Sequence, residues 1–223
     1  MDVIEAIMAR HSVRDFKTVT VHKATILKIL ETAVHAPSTV NSQPWNMYVA
    51  GGAAIERIRS AYVAAMEKGV MGKTEMSGTP STQLPKVMQY RMTEMRKERM
   101  KLMGLDPLDT ASQQINMAII ARLFNAPVLM VLTMDKVLDK WSVYDMGLLS
   151  QNILLAAQNS GLDTIVAMSL VSNPDIMRAE LGIPDSQTIV IGIALGYIDT
   201  RSGVNSYVSS RRSMAETVTF KGF

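Results

Sequence analysis

Pro127-Val128-Leu129-Met130-Val131-Leu132-Thr133-Met134 is the stretch on which the fold turns. Only Thr133 interrupts an apolar run of strand length. A strand without polar alternation is covered on both faces, so helices must lie above and below its sheet. The flanks supply them. Gln113–Phe124 reads as a helix before the strand. After it, Leu148, Leu149, Ile153, Leu154, Ala156 and Ala157 follow Asp145-Met146-Gly147 as a strongly apolar helix long enough to lie at the centre of the fold, closed by Gly161.

Toward the N-terminus, Asp2 and Glu5 have capping-box spacing, and Val3, Ile4, Ile7 and Met8 repeat on one helical face. That helix ends near Arg10-His11-Ser12-Val13-Arg14. Ile26, Leu27, Leu30, Ala33 and Val34 make a second helix, stopped by Pro37. Trp45–Ala50 is a strand, Ala53–Lys68 a helix, Val70–Pro85 a loop dense in Gly, Pro, Ser and Thr, and Lys86–Met103 a helix rich in methionine and basic residues. Residues Val70–Leu108 look inserted. Further on come a strand at Thr164–Leu170, a short helix at Asp175–Leu181 stopped by Gly182 and Pro184, and a last buried strand at Thr188–Ile198. The class is α+β, one mixed sheet surrounded by helices in a single domain over residues 1–223. The tail, Ser202–Phe223, is too polar and irregular for a core element, so it either frays or lies on something.

Composition excludes several chemistries. The chain has no cysteine, and only His11, His22 and His35 could offer imidazole, so no metal centre and no thiol nucleophile is expected. No G-x-G-x-x-G follows a strand, and G-x-x-x-x-G-K-[ST] and G-x-S-x-G are absent. A net charge of +3 is too small to name a nucleic acid partner, although it suits a small anionic ligand. Met1–Arg10 is not a basic patch leading into a long apolar run, and no stretch approaches ~18 uninterrupted apolar residues. A cytoplasmic protein with no membrane association is the expectation. Apolar residues make up 48% of the chain and charged ones 19%, a greasy balance whose surplus often ends in a subunit interface.

Two short segments carry the functional reading. Arg10, Ser12 and Arg14 form an R-x-S-x-R spacing. In an extended stretch the three share one face and offer two guanidinium forks and a hydroxyl to one anionic ligand, such as a phosphate or a flavin edge. The plainer alternative is a solvated basic helix end complementing the dipole. Ala36-Pro37-Ser38-Thr39-Val40-Asn41-Ser42-Gln43-Pro44-Trp45 packs hydroxyls and amides between two prolines, dense for a connector, with a rigid Asx-type turn as its plainer alternative.

Taken in order, Arg10–Phe16, Pro37–Trp45, Gly161-Leu162-Asp163-Thr164, Ala167-Met168-Ser169-Leu170, Gly192–Tyr197 and Arg211-Arg212 to Gly222-Phe223 resemble the FMN-dependent nitroreductase family. The likeness is closest to members that reduce nitrobenzoate-like aromatics, and it spans the chain except roughly Val70–Leu108. It implies a three-layer α/β/α fold with a mixed, mainly antiparallel sheet, in an intertwined homodimer with FMN at the subunit interface. It also implies that Arg10 faces the phosphate, Ser12 the ribityl-phosphate end and Arg14 the pyrimidine edge, with His11 inside the same motif. Pro37, Ser38, Thr39 and Asn41 match a loop that reaches the flavin of the other subunit. Ala167, Met168 and Ser169 match the strand end at the flavin's N5 edge. Some family members carry an acidic residue and a glycine in place of Met168 and Ser169. Either Arg211 or Arg212 matches a phosphate-closing arginine in a tail that wraps the partner chain.

The activity so implied is transfer of hydride from NAD(P)H, through FMN, to a nitroaromatic acceptor by a ping-pong route, with no catalytic side chain nominated and Arg14 tuning the flavin. Residues 70–108 would be a lid whose methionines, among them Met88, Met92, Met95, Met100 and Met103, either wall an aromatic pocket or merely seat the helix. The alternatives are a same-fold ene reductase, dehalogenase or flavin-degrading enzyme, a non-catalytic flavin-binding protein, and a nucleic acid module resting on the Lys86–Lys101 charges.

Overall fold

The computed structural model describes residues 1–70, 72–76 and 78–223. Its first helix, α1 (Val3–Ala9), is set by the expected capping box: Glu5 N donates to Asp2 Oδ1 at 2.8 Å and Asp2 N to Glu5 Oε2 at 3.0 Å. Then follow α2 (Lys23–Ala33), β1 (Asn46–Gly51), α3 (Ala53–Glu67), α4 (Lys86–Leu102), α5 (Thr110–Ala121), β2 (Val128–Asp135), α6 (Lys140–Asn159), β3 (Asp163–Ala167), α7 (Pro174–Leu181), β4 (Gln187–Gly196) and α8 (Met214–Thr217).

The strands form one sheet in the order β1-β2-β4-β3, and β2 is buried along its length until Asp135. All three pairings are antiparallel. The mixed character expected of the sheet comes down to one parallel bridge, Ser12 to Thr164, on the outer side of β3. Alternation along β2 sends Leu129 and Val131 to one face and Met130, Leu132 and Met134 to the other. The first face packs on Ile55, Ile58 and Tyr62 of α3 and Met177 of α7; the second packs on Ile26, Ile29 and Ala33 of α2 and on Met146, Leu149 and Ile153 of α6. These are the two cores of a three-layer α/β/α arrangement.

Some boundaries differ from the sequence reading for identifiable reasons. The helix expected to run to Phe124 stops at Ala121, because Leu123, Phe124 and Asn125 all take positive φ (53°, 58° and 59°). Arg59 holds this costly turn, donating from Nε to Arg122 O at 2.9 Å and from Nη2 to Ala126 O at 2.6 Å. The strand expected to reach Leu170 ends at Ala167 and tightens into a 3-10 turn, Met168–Val171. That turn crosses β4 so closely that a Cβ on Gly192 would stand 2.5 Å from Leu170 Cβ. Helix α1 forms as expected and packs on α6 through buried Ala6, but among the described residues the apolar side chains of its expected face, Val3, Ile4, Ile7 and Met8, stay exposed.

The entrance to the inserted region is clamped. Arg178 of α7 donates to Glu75 Oε1 from Nη2 at 2.6 Å and to the carbonyls of Pro184 and Gln187, while Ile189 N donates to Glu75 Oε2 at 2.7 Å. Both charged side chains are mostly buried, at 14% and 21% exposure, so the pair is not a solvent-screened surface contact. Glu75→Ala is expected to lower the free energy of unfolding by about 2–3 kcal/mol, the cost of losing charge-assisted bonds within one network. Urea denaturation at fixed protein concentration reads it. Among the described residues no helix is long and apolar enough to cross a membrane.

Candidate functional site

Residues 10–16 leave α1 as extended backbone alongside β3. Val13 N donates to Thr164 O at 3.0 Å, Ser12 bridges Thr164 in parallel, and Phe16 bridges Ile198. Val13 is fully buried, and by the period of two His11 shares its side while Arg10, Ser12 and Arg14 share the other. His11 is therefore set apart from the three residues it was grouped with. Its Nδ1 lies 3.3 Å from Ala9 O, and the nearby Asp163 carboxyl is raised by burial against the opposing hydrogen bond it accepts from Ile198 N.

Because the bridge is parallel, the chain from Ser12 to Arg14 advances in the same direction as β3 from Thr164 toward Ala167. The arginine motif and Ala167-Met168-Ser169 thus lie along one sheet edge. Arg14 is fixed there by its backbone N–H on Asn205 Oδ1 at 2.7 Å, by Nη1 on Ser12 O at 2.9 Å, and by its guanidinium 5.8 Å from the Tyr207 ring centre. Asn205 is itself buried and donates to Asp15 O and Asp199 O, stapling the segment after β4 onto the motif. Burial, with the nearby charge of Arg99, pulls the Arg14 guanidinium below its ordinary range to about 10, so it remains a cation at neutral pH.

At the other end of the motif, burial and the charge of Arg211 both lower the Arg10 guanidinium. Arg211 donates only to the carbonyls of Ser209 and Ser210, whereas Arg212 is engaged by Glu216, its Nη2 on the carbonyl and its Nε 3.9 Å from Oε1. Arg211, not Arg212, is the tail arginine whose field reaches Arg10. Among the described residues, Arg10, Arg14 and Arg211 form no ion pair. Like charges gathered without a counter-ion are what an anionic ligand would neutralise.

The strand end is held from below. Tyr62 Oη donates to Leu170 O at 3.0 Å and accepts from Asn173 N at 3.2 Å, and burial pushes its phenol up to about 12, keeping it a neutral donor. Met168 is 64% exposed, while Ala167 and Ser169 on either side are half-buried.

The loop is built with equal care, but elsewhere. Val40, Asn41 and Gln43 have φ of 47°, 58° and 45°, a strain that needs outside support. Thr39 supplies it by donating from its backbone N–H and its hydroxyl to buried Asp145 at 3.1 and 3.4 Å, and Gln43 N donates to Ser38 Oγ at 3.0 Å. Asp145→Ala is expected to speed amide hydrogen exchange at Thr39 at least tenfold, by roughly the 1.4 kcal/mol that one lost charged hydrogen bond is worth. Among the described residues no hydrogen bond joins Pro37–Asn41 to the arginine motif or to Ala167–Ser169 of the same chain. Val40, at its tip, is 92% exposed.

Sequence reasoning passed over Asp145, Asn205, Tyr207 and Arg99. The signal for Asp145 was a lone acid at the head of an apolar helix. Asn205 and Tyr207 sat in a tail dismissed as irregular, and Arg99 hid among many exposed basic neighbours.

The chain matches the model of the nitroreductase family over residues 7–197. It is 32% identical over 216 residues to the nitrobenzene nitroreductase of Ectopseudomonas oleovorans, covering 97% of this chain and 95% of that one. It is 30% identical to the 4-nitrobenzoate reductase of Pseudomonas putida, covering 100% and 97%. Its fold superposes with a TM-score of 0.92 on the crystal structure of the FMN-dependent nitroreductase NfnB from Mycobacterium smegmatis in complex with NADPH, at 28% identity and with 98% and 97% of the chains covered. With nearly the whole length matched in sequence and in fold, including the sheet edge that carries Arg10, Ser12 and Arg14, the chain belongs to the nitroreductase family.

Proposed function

We propose that this chain is an FMN-dependent oxidoreductase that passes hydride from NAD(P)H to a nitroaromatic acceptor. The observation that carries the proposal is a set of guanidiniums that form no ion pair among the described residues, Arg10 and Arg14 along one sheet edge with the charge of the tail residue Arg211 acting on Arg10, beside the strand end at Ala167–Ser169. This donor set fits FMN, which has a dianionic phosphate at one end and a ring that gains negative charge at the other. Arg10 and Arg211 would hold the phosphate and Ser12 the ribityl end. Arg14 would face the pyrimidine edge, where a fixed positive charge favours the reduced form. The backbone of Ala167–Ser169 would face the N5 edge. FMN, when bound, supplies the redox chemistry; the protein binds, orients and tunes it. NAD(P)H and acceptor use the same space in turn, which gives ping-pong kinetics.

A second copy of the chain completes the site. The exposed face of α1, with Trp141 and Tyr144 of α6 at 62% and 63% exposure, is the surplus apolar surface that a homodimer would cover. The same contact would bring Pro37, Ser38, Thr39 and Asn41 to the other subunit's flavin. The outer edge of β1 is unpaired among the described residues and borders a cavity of about 590 Å³ lined by Val19, Val21, Leu27 and Val49. The partner's tail, whose Phe220 and Phe223 are exposed in this chain and pack edge-to-face on one another, is the arm proposed to cover it.

The inserted region, residues 70–108, is the proposed lid, and its methionines divide between the two roles weighed for them. Met100 is buried and seats the helix, whereas Met88 and Met92 are exposed and available to wall an aromatic acceptor. Of the lid residues, Met71 and Ser77 lie outside the described ones.

Purified protein is expected to be yellow, to hold one FMN per chain in a dimer, and to oxidise NAD(P)H only when a nitroaromatic acid or nitrobenzene is added. A colourless protein that refuses added FMN overturns the proposal.

A further inference from the structure

Arg99 differs from the other charges of α4. Arg91, Arg96 and Lys101 are exposed, and Lys97 pairs with Glu94 at 2.9 Å, an ordinary solvated face. Arg99 is half-buried instead. Its Nε is closed off from solvent with no acceptor, its Nη2 reaches only Asn116 Oδ1 at 3.4 Å, and no carboxylate pairs with it among the described residues. A buried charged donor without an acceptor is expensive, and such groups persist where something else supplies the acceptor.

The last turn of α4, one turn beyond Arg99, lies against the segment that holds Arg14. Leu102 and Met103 line a cavity of about 260 Å³ together with Arg14, and Leu102 O lies so close to the turn at Gly203–Ser206 that a Cβ on Gly203 would stand 2.3 Å away. Tyr207 follows that turn, its ring centre is 5.8 Å from Arg14, and it influences both arginines. Burial lowers the Arg99 guanidinium as it does that of Arg14.

We propose that Arg99 is a tuning residue of the flavin site: its guanidinium, held by α4 beside Arg14, is a second positive charge facing the pyrimidine edge of FMN. The insertion thereby helps to set the cofactor's reduction potential, besides covering the acceptor. This rests on the FMN reading above. Hydride uptake leaves one net negative charge on the ring, and in a dry site two nearby guanidiniums stabilise that charge more than the neutral oxidised ring.

The test is the midpoint potential of the FMN-loaded dimer for wild type, Arg99→Gln and Arg99→Lys. Arg99→Gln is expected to lose tenfold in its preference for reduced over oxidised FMN, which for a two-electron couple is about 30 mV more negative. Arg99→Lys keeps the charge and should recover most of the difference. An FMN-replete Arg99→Gln with unaltered potential overturns the proposal. Should that variant lose its flavin on purification, oxidised and dithionite-reduced FMN are titrated into it separately; selective weakening toward reduced FMN supports the proposal, and equal weakening toward both overturns it. A wild-type protein without FMN overturns the parent reading instead, so the two failures are distinguishable.

Discussion

Arg10→Ala with Arg211→Ala is expected to weaken FMN binding by roughly a thousandfold and to yield a colourless protein after gel filtration. The charge of Arg211 already lowers the Arg10 guanidinium, which an anion between them would relieve. Each would make a charge-assisted bond to it, worth about 2 kcal/mol, and two such bonds amount to nearly three decades in Kd. Since neither arginine has an ion-pair partner among the described residues, removing both leaves no orphaned carboxylate, and the fold should stand. Arg212→Ala is the control. It breaks only the local pairing with Glu216 in an exposed tail, so it should leave FMN affinity within about threefold of wild type. Fluorescence titration of FMN into the apoproteins reads all three. If Arg212→Ala behaves like the double variant, the phosphate position has been assigned to the wrong arginine.

Ile4→Glu with Met8→Glu on α1 is expected to convert the proposed dimer to a monomer at micromolar concentration and to release the flavin with it. These side chains are 69% and 80% exposed in the single chain, so the substitutions unsettle no core of their own. Two-fold symmetry counts each change twice. At about 1.5 kcal/mol of lost burial for each of four side chains, the dimer Kd rises by roughly four decades, before the cost of desolvating the new carboxylates is added. Sedimentation and bound-flavin absorbance are measured on the same sample. Retention of dimer with full flavin would show that this face is not the interface; a monomer that keeps its FMN would show that the Pro37–Asn41 loop is not needed from the second copy.

Arg99 extends the same electrostatic logic to the insertion. If the proposed lid carries a charge beside the flavin, acceptor access and cofactor poise are coupled through it.

The sequence alone determined the layered architecture, because periodicity is a local property. The apolar run at Pro127–Met134, interrupted only by Thr133, required cover on both faces, and the Asp2–Glu5 box and the glycines at 161 and 182 marked helix ends that the chain adopts. It also placed Arg10, Ser12 and Arg14 on one face, since an extended backbone imposes that with a period of two. Only the tertiary structure decided what those arginines lie against. The parallel bridge to Thr164, the approach of Arg211 to Arg10, and the convergence of Arg99 and Tyr207 on Arg14 join residues far apart in the chain, and no local spacing encodes them. The same holds for α1, whose apolar stripe announced a buried face without saying whose core would bury it. An amphipathic pattern specifies that a surface must be covered, while the covering partner is chosen by long-range packing.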